Sequence, residues 1–348
     1  VSIDAQDRAL ARVKRLARGT FTPGVLSEIG LFGGLFRPPL RGLQDPVLVA
    51  SADGVGTKLA VARLAGRFST VGRDLVNHCV NDVLVQGALP LFFLDYVGAG
   101  VLEPAKMVDL LRGVARGCRD NGCALLGGET AEMPGFYRPG DYELVGFIVG
   151  LVDRRHLLDG SRVRPGDVLL GLPSAGLHTN GYALARHILF ERLGLGLGDR
   201  IPGARGRRTV GELLLAPHLS YLAALRPLLR HPAVHALAHV TGGGLTDNLP
   251  RVLPPGMRAE IRLGSWRVPE LFQLLQRHGD VAEAEMFRVF NMGIGMVLVV
   301  EPSGLATVSR RLRGARQRPA VLGRVETGRS GGVRYLVSGG PAIRGNST

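Results

Sequence analysis

The chain has 348 residues, 45% of them hydrophobic and 5% aromatic, with 43 Lys and Arg against 29 Asp and Glu. That length holds two domains with real cores, and the 50 glycines fall in motif-like groups without a period, which excludes collagen-like and low-complexity classes. The net charge of +14 comes mainly from dispersed arginines, with only Lys14, Lys58 and Lys106 as lysines, so it argues against a nucleic-acid-binding stripe while still drawing anionic small substrates.

Residues 4–18 read as an amphipathic helix, with Leu10, Val13 and Leu16 on one side. The N-terminus has no signal-peptide core, and Asp4 and Asp7 oppose a transit peptide, so a cytoplasmic location is expected. A loop over 19–45 carries "GLFGGLFRPPL". Its length predicts a lid or cover, or else a segment docked by Phe32 and Phe36. A strand at 46–51 leads into "ASADGVGTKLAVA", which fails the phosphate-loop pattern because only Gly56-Thr57-Lys58 fits and Asp53 intrudes. Residues 69–88 have helical spacing, "PLFFLDYV" reads as a strand, and Asp95 keeps this apolar stretch below membrane-spanning length. Helix 103–120, strand 123–127 and strand "DYELVGFIVGLVD" follow. Cys79, Cys118 and Cys123 form no Cys-x-x-Cys pair and are expected to be reduced and buried.

The breaker-rich "GSRVRPG" at 160–166 marks a boundary, giving domains 1–165 and 166–348. Strand "DVLLGLP" opens the second, where strands at 234–240, 258–262, 293–300 and 320–326 alternate with helices at 181–190, 216–230, 268–278 and 302–314. Two α/β units in series are the expected architecture. The tail from Ser338 is expected to fray.

Four segments carry chemistry. Asp53, Asp82 and Glu129 each lie in or beside an apolar context, where a bare carboxylate is costly unless paired or bound to a cation. If the three converge they suit Mg²⁺, with Thr57 and Lys58 on phosphates; taken singly, each is as well explained as a cap or solvated turn residue. In "LPSAGLHTNGYALARHIL", Ser174, His178, Thr179 and Asn180 precede a helix whose free N–H groups favour anions. "HVTGGGLTDNL" repeats the arrangement at Thr241, Gly242, Gly243 and Gly244. Either turn alone is as readily a tight turn, and His178 a capping histidine.

Taken together, "DGVGTK", "CVNDVLVQGALPLFFLDY", "GGETAEMPGFY", "GLHTNGYALAR", "HVTGGGLTDNLPRVLP" and "FNMGIGM" occur in the order that resembles the phosphoribosylformylglycinamidine cyclo-ligase family, also called aminoimidazole ribonucleotide synthetase. The resemblance spans about 3–325, and "GGETAEMPG" is distinctive. It implies two α/β domains, a homodimer whose N-terminal sheets close into a central barrel, and ATP-dependent ring closure of formylglycinamidine ribonucleotide in purine biosynthesis. A sibling ATP-using enzyme of the same superfamily, of small-molecule kinase or selenophosphate synthetase type, is the alternative. The resemblance assigns Asp53, Asp82 and Glu129 to Mg²⁺ and ATP, with Gly54, Thr57, Lys58, Asn81 and Thr130 nearby and Gly33 and Gly34 in a nucleotide cover. It assigns Ser174, His178, Thr179, Asn180, Thr241, Gly242 and Gly243 to substrate, with His178, Lys58 and Asp82 catalytic. The family pattern often has Cys where this chain has Met292, and Ser where it has Thr179, which keeps the hydroxyl.

Overall fold

Runs of Val, Ile, Leu and Phe that alternate their side chains between two faces build the first sheet. The computed structural model describes residues 3–328, 332–337 and 343–344. They form two compact units that part at Arg155/His156, with Val85–Gly87 belonging to the second.

In the first unit, β1 (Pro46–Gly54), β2 (Leu89–Ala99), β3 (Ala124–Glu132) and β4 (Tyr142–Asp153) lie in the order β1-β4-β2-β3. Strand β4 is antiparallel to both neighbours, and β2 and β3 are parallel. Helices α1 (Ile3–Arg18), α2 (Lys58–Ala65), α3 (Phe68–Leu84) and α4 (Pro104–Asp120) accompany them. Helix α3 packs on α4, β4 and β1, and α1 on α4 and β3. Helices α3 and α4 cross almost backbone to backbone: a Cβ on Gly72 would collide with the Leu110 carbonyl, and one on Gly113 with that of Ser69.

The register decides which residues share a face. Asp53 pairs with Gly146 and Gly146 with Asp95, so both aspartates project toward the helices. The opposite face carries Leu48, Ala50 and Ala52 of β1, Val145 and Phe147 of β4, and Leu94 and Tyr96 of β2. It is apolar yet open, with Leu48 63% and Phe147 40% exposed in the single chain.

The second unit is built on a seven-stranded sheet. Its strands are β5 (Val168–Pro173), β6 (Val234–His239), β7 (Met257–Arg262), β8 (Ile294–Val300), β9 (Ala320–Thr327), β10 (Val333–Leu336) and β11 (Ile343–Arg344), in the order β11-β10-β7-β9-β5-β8-β6. Every pairing is antiparallel except β10 with β7. Strand β8, "IGMVLVV", is buried along its whole length, as a central strand without polar alternation should be. The helices are α5 (Tyr182–Arg186), continued as a π turn to Arg192, α6 (Val210–Leu214), α7 (Leu222–Leu225), α8 (Gly244–Asn248), α9 (Glu270–Gly279), α10 (Glu283–Val289) and α11 (Leu305–Gly314).

Several local expectations change. The helix expected at 216–230 is broken: Pro217 and Pro227 each lack an N–H, and α7 with a 3₁₀ turn at 226–228 is what remains. Just before it, Thr209 and Glu212 form a capping box that starts α6. Helix α10 and strand β10 were not anticipated. Strand β3 runs on past residue 127 to Glu132, because pairing with β2 continues beyond a bulge at Phe93/Leu94, so Glu129 and Thr130 stand in a strand. Of the tail expected to fray from Ser338, all but 343–344 lies outside the described residues. Among the described residues no helix is long and apolar enough to cross a membrane.

Candidate active site

The polar residues of α3 fall on one ridge of an otherwise apolar helix. Asp74, His78 and Asp82 follow one another at four-residue intervals, which places them in line along the helix. This ridge meets the end of β1 and the start of α2. His78 Nε2 lies 2.7 Å from Asp53 Oδ2 and 3.7 Å from Asp82 Oδ2. Ser51 Oγ donates to Asp82 Oδ2 at 3.3 Å, and the Gly54 N–H donates to Asp53 Oδ1 at 2.6 Å. Burial alone would lower the His78 pKa; the hydrogen bond to Asp53 and the charges of Asp82, Asp53 and Asp74 outweigh it, and the pKa is raised. The imidazole is buried, whereas Asp53 is 46% and Asp82 23% exposed, so the carboxylates form the solvent-facing rim.

The structure thus brings Asp53 and Asp82 together and adds His78, which was not singled out in the sequence. It leaves Glu129 apart. Glu129, in β3, pairs with Tyr96 of β2, and β3 is three strands away from β1, so the strand spacing puts it about 14 Å from β1 and on the open face. Its carboxylate accepts the Thr130 N–H.

Lys58 is fully buried, and its ammonium sits 2.7 Å from Asp74 Oδ2. Thr57 lies directly before α2 on a small cavity with Gly56 and Arg63, while Asn81 is buried in α3. The 30–36 segment is the turn and second arm of a short hairpin over 24–37, closed by Leu26 N–H to Leu35 O and Arg37 N–H to Gly24 O, with Phe36 against Phe92 of β2 at 5.3 Å between ring centroids. Phe36 docks it; Phe32 is fully exposed. Gly34 lies against Leu126 of β3, and Gly33 stands clear.

In the second unit, the turn after β5 is held by the "FNMGIGM" segment. Ser174 Oγ donates to Asn291 Oδ1 at 3.0 Å, Asn291 Nδ2 donates to Gly176 O at 2.9 Å, and the Ser174 N–H to Gly293 O. His178 adopts φ +61°, a left-handed conformation rare for a residue with a side chain, and is completely buried. The Ala175 N–H donates to His178 Nε2 at 3.2 Å, which in the neutral ring places the proton on Nδ1. His178 stacks on His218 at 4.2 Å between centroids; His218 Nδ1 lies 3.3 Å from Thr179 Oγ1, and His218 Nε2 3.1 Å from His239 Nε2. Gly295 admits this cluster, since a Cβ there would strike the Tyr221 hydroxyl and the His178 ring. The Asn180 amide oxygen lies beside Gly242, so the two glycine-bearing turns meet. Asn248 closes the second one, donating to Gly242 O and Gly244 O, and Thr241 Oγ1 donates to Asn248 Oδ1.

Serine, threonine, asparagine and a run of backbone amides at two strand ends make a neutral polar cradle suited to a phosphorylated ligand. The geometry adds Asp74, His218, His239 and Asn291 to the residues read from sequence. Asp74 and His78 were signalled by their spacing with Asp82, and His239 by its place before the glycine turn. His218 had no signal, because it follows Pro217 in a run read as helix. Cys79 and Cys118 are buried, which pushes both thiols up and keeps them protonated.

The family model described as AIR synthase related protein, N-terminal domain, matches residues 40–152, and the corresponding C-terminal domain model matches 164–336. The chain is 50% identical over 325 residues to a phosphoribosylformylglycinamidine cyclo-ligase of Citrifermentans bemidjiense, covering 93% of both chains. It is 48% identical over 340 residues to one of Desulfitobacterium hafniense, covering 97% of both. Among solved structures it resembles Escherichia coli HypE, a hydrogenase maturation protein (TM-score 0.68, 18% identity, 97% and 95% covered). It also resembles a thiamine-monophosphate kinase of Stenotrophomonas maltophilia (TM-score 0.67, 18% identity, 94% of each covered), and both likenesses concern the fold. With both domain models matched and half its residues shared along nearly its whole length, the chain belongs to the phosphoribosylformylglycinamidine cyclo-ligase family.

Proposed function

We propose that this chain closes the imidazole ring of formylglycinamidine ribonucleotide to give aminoimidazole ribonucleotide, using ATP and releasing ADP and phosphate, in the cytoplasm as a step of purine biosynthesis. The observation that carries the reading is the Asp53–His78–Asp82 cluster in a chain half identical to enzymes of that name. An amide oxygen leaves poorly. Transfer of the γ-phosphoryl group to the formyl oxygen makes it a phosphate; the ring-closing nitrogen then bonds to the formyl carbon, the C–O bond breaks, and phosphate departs. Such a transfer needs alignment and charge neutralisation more than covalent help.

Asp53 and Asp82 supply hard oxygen donors at a solvent-facing rim, the donor chemistry Mg²⁺ prefers, and we assign them to it. Bound there, Mg²⁺ would neutralise phosphate charge. His78 fixes the orientation of both carboxylates. Gly54, Thr57, Asn81 and Thr130 complete the ATP-binding set, with Gly33 and Gly34 in the covering hairpin. Lys58 acts through Asp74, holding the ridge that carries His78. Ser174, Thr179, Asn180, Thr241, Gly242 and Gly243 bind the substrate ribonucleotide. His178, its Nε2 accepting the Ala175 N–H, is the proton-transfer or charge-stabilising group.

The open apolar sheet face supports a homodimer formed face to face, closing into a barrel, and Glu129, which stands on that face away from Asp53 and Asp82, is left out of the Mg²⁺ set. Substituting Asp82→Asn tests the site. ADP release in the presence of substrate should fall about a hundredfold, equivalent to roughly 2.7 kcal/mol of transition-state stabilisation, with the urea midpoint retained. Near-wild-type turnover would remove Asp82 from the metal set.

A further inference from the structure

Outside every residue assigned above, the second unit contains a cavity of about 540 Å³ between α9 and the loop before α6. Three arginines, Arg205, Arg267 and Arg277, line it against one carboxylate, Glu270. The loop is fixed in place. Arg200 Nη2 donates to Gly206 O at 2.7 Å, the His278 ring lies 2.9 Å from Pro202 O, and the N–H groups of Arg205 and Gly206 donate to the two Glu270 oxygens at 2.8 and 3.3 Å.

Those N–H bonds, with the nearby Arg205 and Arg267 charges, hold the Glu270 carboxyl below its usual range. Its acceptor capacity is therefore directed at the loop backbone. No ion pair within 4 Å engages Arg205, Arg267 or Arg277 among the described residues. Three like charges gathered around one concavity repel one another, and an entering anion relieves that repulsion. A guanidinium offers a planar fork of donors matched to phosphate oxygens. The volume exceeds what inorganic phosphate needs and falls in the range of small-molecule sites. Val268 and the buried Leu274 supply apolar contact for a sugar or base.

We infer that this cavity is a second anion site, taking an organic phosphate the size of a nucleoside monophosphate. It is separate from the proposed ATP and substrate residues, so it stands or falls independently of the catalytic reading.

The test is calorimetric titration of AMP, ribose 5-phosphate and inorganic phosphate into the full chain without Mg²⁺. It compares wild type, Asp82→Asn, and the double variant Arg267→Gln/Arg277→Gln. AMP should bind wild type and Asp82→Asn alike, and at least about tenfold more weakly in the double variant. Arg205→Gln, on the loop wall, should weaken it in the same direction. Raising NaCl from about 50 to about 300 mM should also loosen binding, as screening of an exposed charged site requires. Turnover of the double variant without added AMP should be unchanged. AMP affinity unaltered in the double variant would overturn the proposal. So would inorganic phosphate binding as tightly as AMP, or a short RNA displacing AMP far more strongly than free nucleotide does.

Discussion

Asp95 projects from β2 toward the helices, where burial pushes its carboxyl up to about 7. In the unfolded chain the group ionises near 3.9. Between these values the unfolded state releases a proton that the folded state keeps, so stability falls as pH rises from about 4 to about 7. The penalty reaches roughly 4 kcal/mol above that window. Asp95→Asn should therefore match wild type near pH 4 and gain on it steadily toward pH 8 in urea unfolding. A difference independent of pH would contradict the assigned burial. Lys58 illustrates what one residue's sequence context hides. The glycine turn suggested a phosphate ligand, but the charge that claims its ammonium, Asp74, arrives from sixteen residues further on through the packing of α3. Lys58→Met alone should cost about 3–5 kcal/mol by removing the ammonium that sits against the buried Asp74 carboxylate, while Lys58→Met with Asp74→Leu should recover most of it. A double variant whose loss equals the sum of the Lys58→Met and Asp74→Leu losses would show that the pair is not coupled.

At the scale of elements, strong periodicity translated well. The spans of α1, α4, β4, β6, β7 and β8 follow their apolar patterns to within a residue or two of the structure. What failed to read were features set by partners in space. Strand β3 is extended by β2, which turned an expected turn acid, Glu129, into a strand residue on the open face. The 216–230 run has helical spacing, but its two prolines divide it. The contact of α3 with α4 depends on Gly72 and Gly113, whose importance is invisible until the helices are placed. Gly113→Ala, although favourable to an isolated helix, should lower stability by about 1–3 kcal/mol, because the added methyl meets Ser69 backbone. Thermal unfolding reads this directly, and an unchanged or higher Tm would contradict the close crossing. Of the candidate site, the strand-end turns were legible from glycine and hydroxyl clusters. His218, stacked on His178 and 3.1 Å from His239, meets partners remote in sequence and was not, whereas His78 was legible only as a four-residue spacing with Asp82 whose partner Asp53 lies on another element.

For the whole molecule, an apolar sheet face left open in a single chain points to self-association. Phe147→Arg should convert a dimer into a monomer in sedimentation experiments, since the arginine would be desolvated without a partner. A wild type that sediments as a monomer at micromolar concentration would overturn the proposed dimer. The proposed chemistry is ring closure driven by ATP. The most direct measurement follows ADP and aminoimidazole ribonucleotide together, with formylglycinamidine ribonucleotide present and absent. The two products should form one for one and only with substrate. ADP release that ignores the substrate, or none from folded protein, would contradict it.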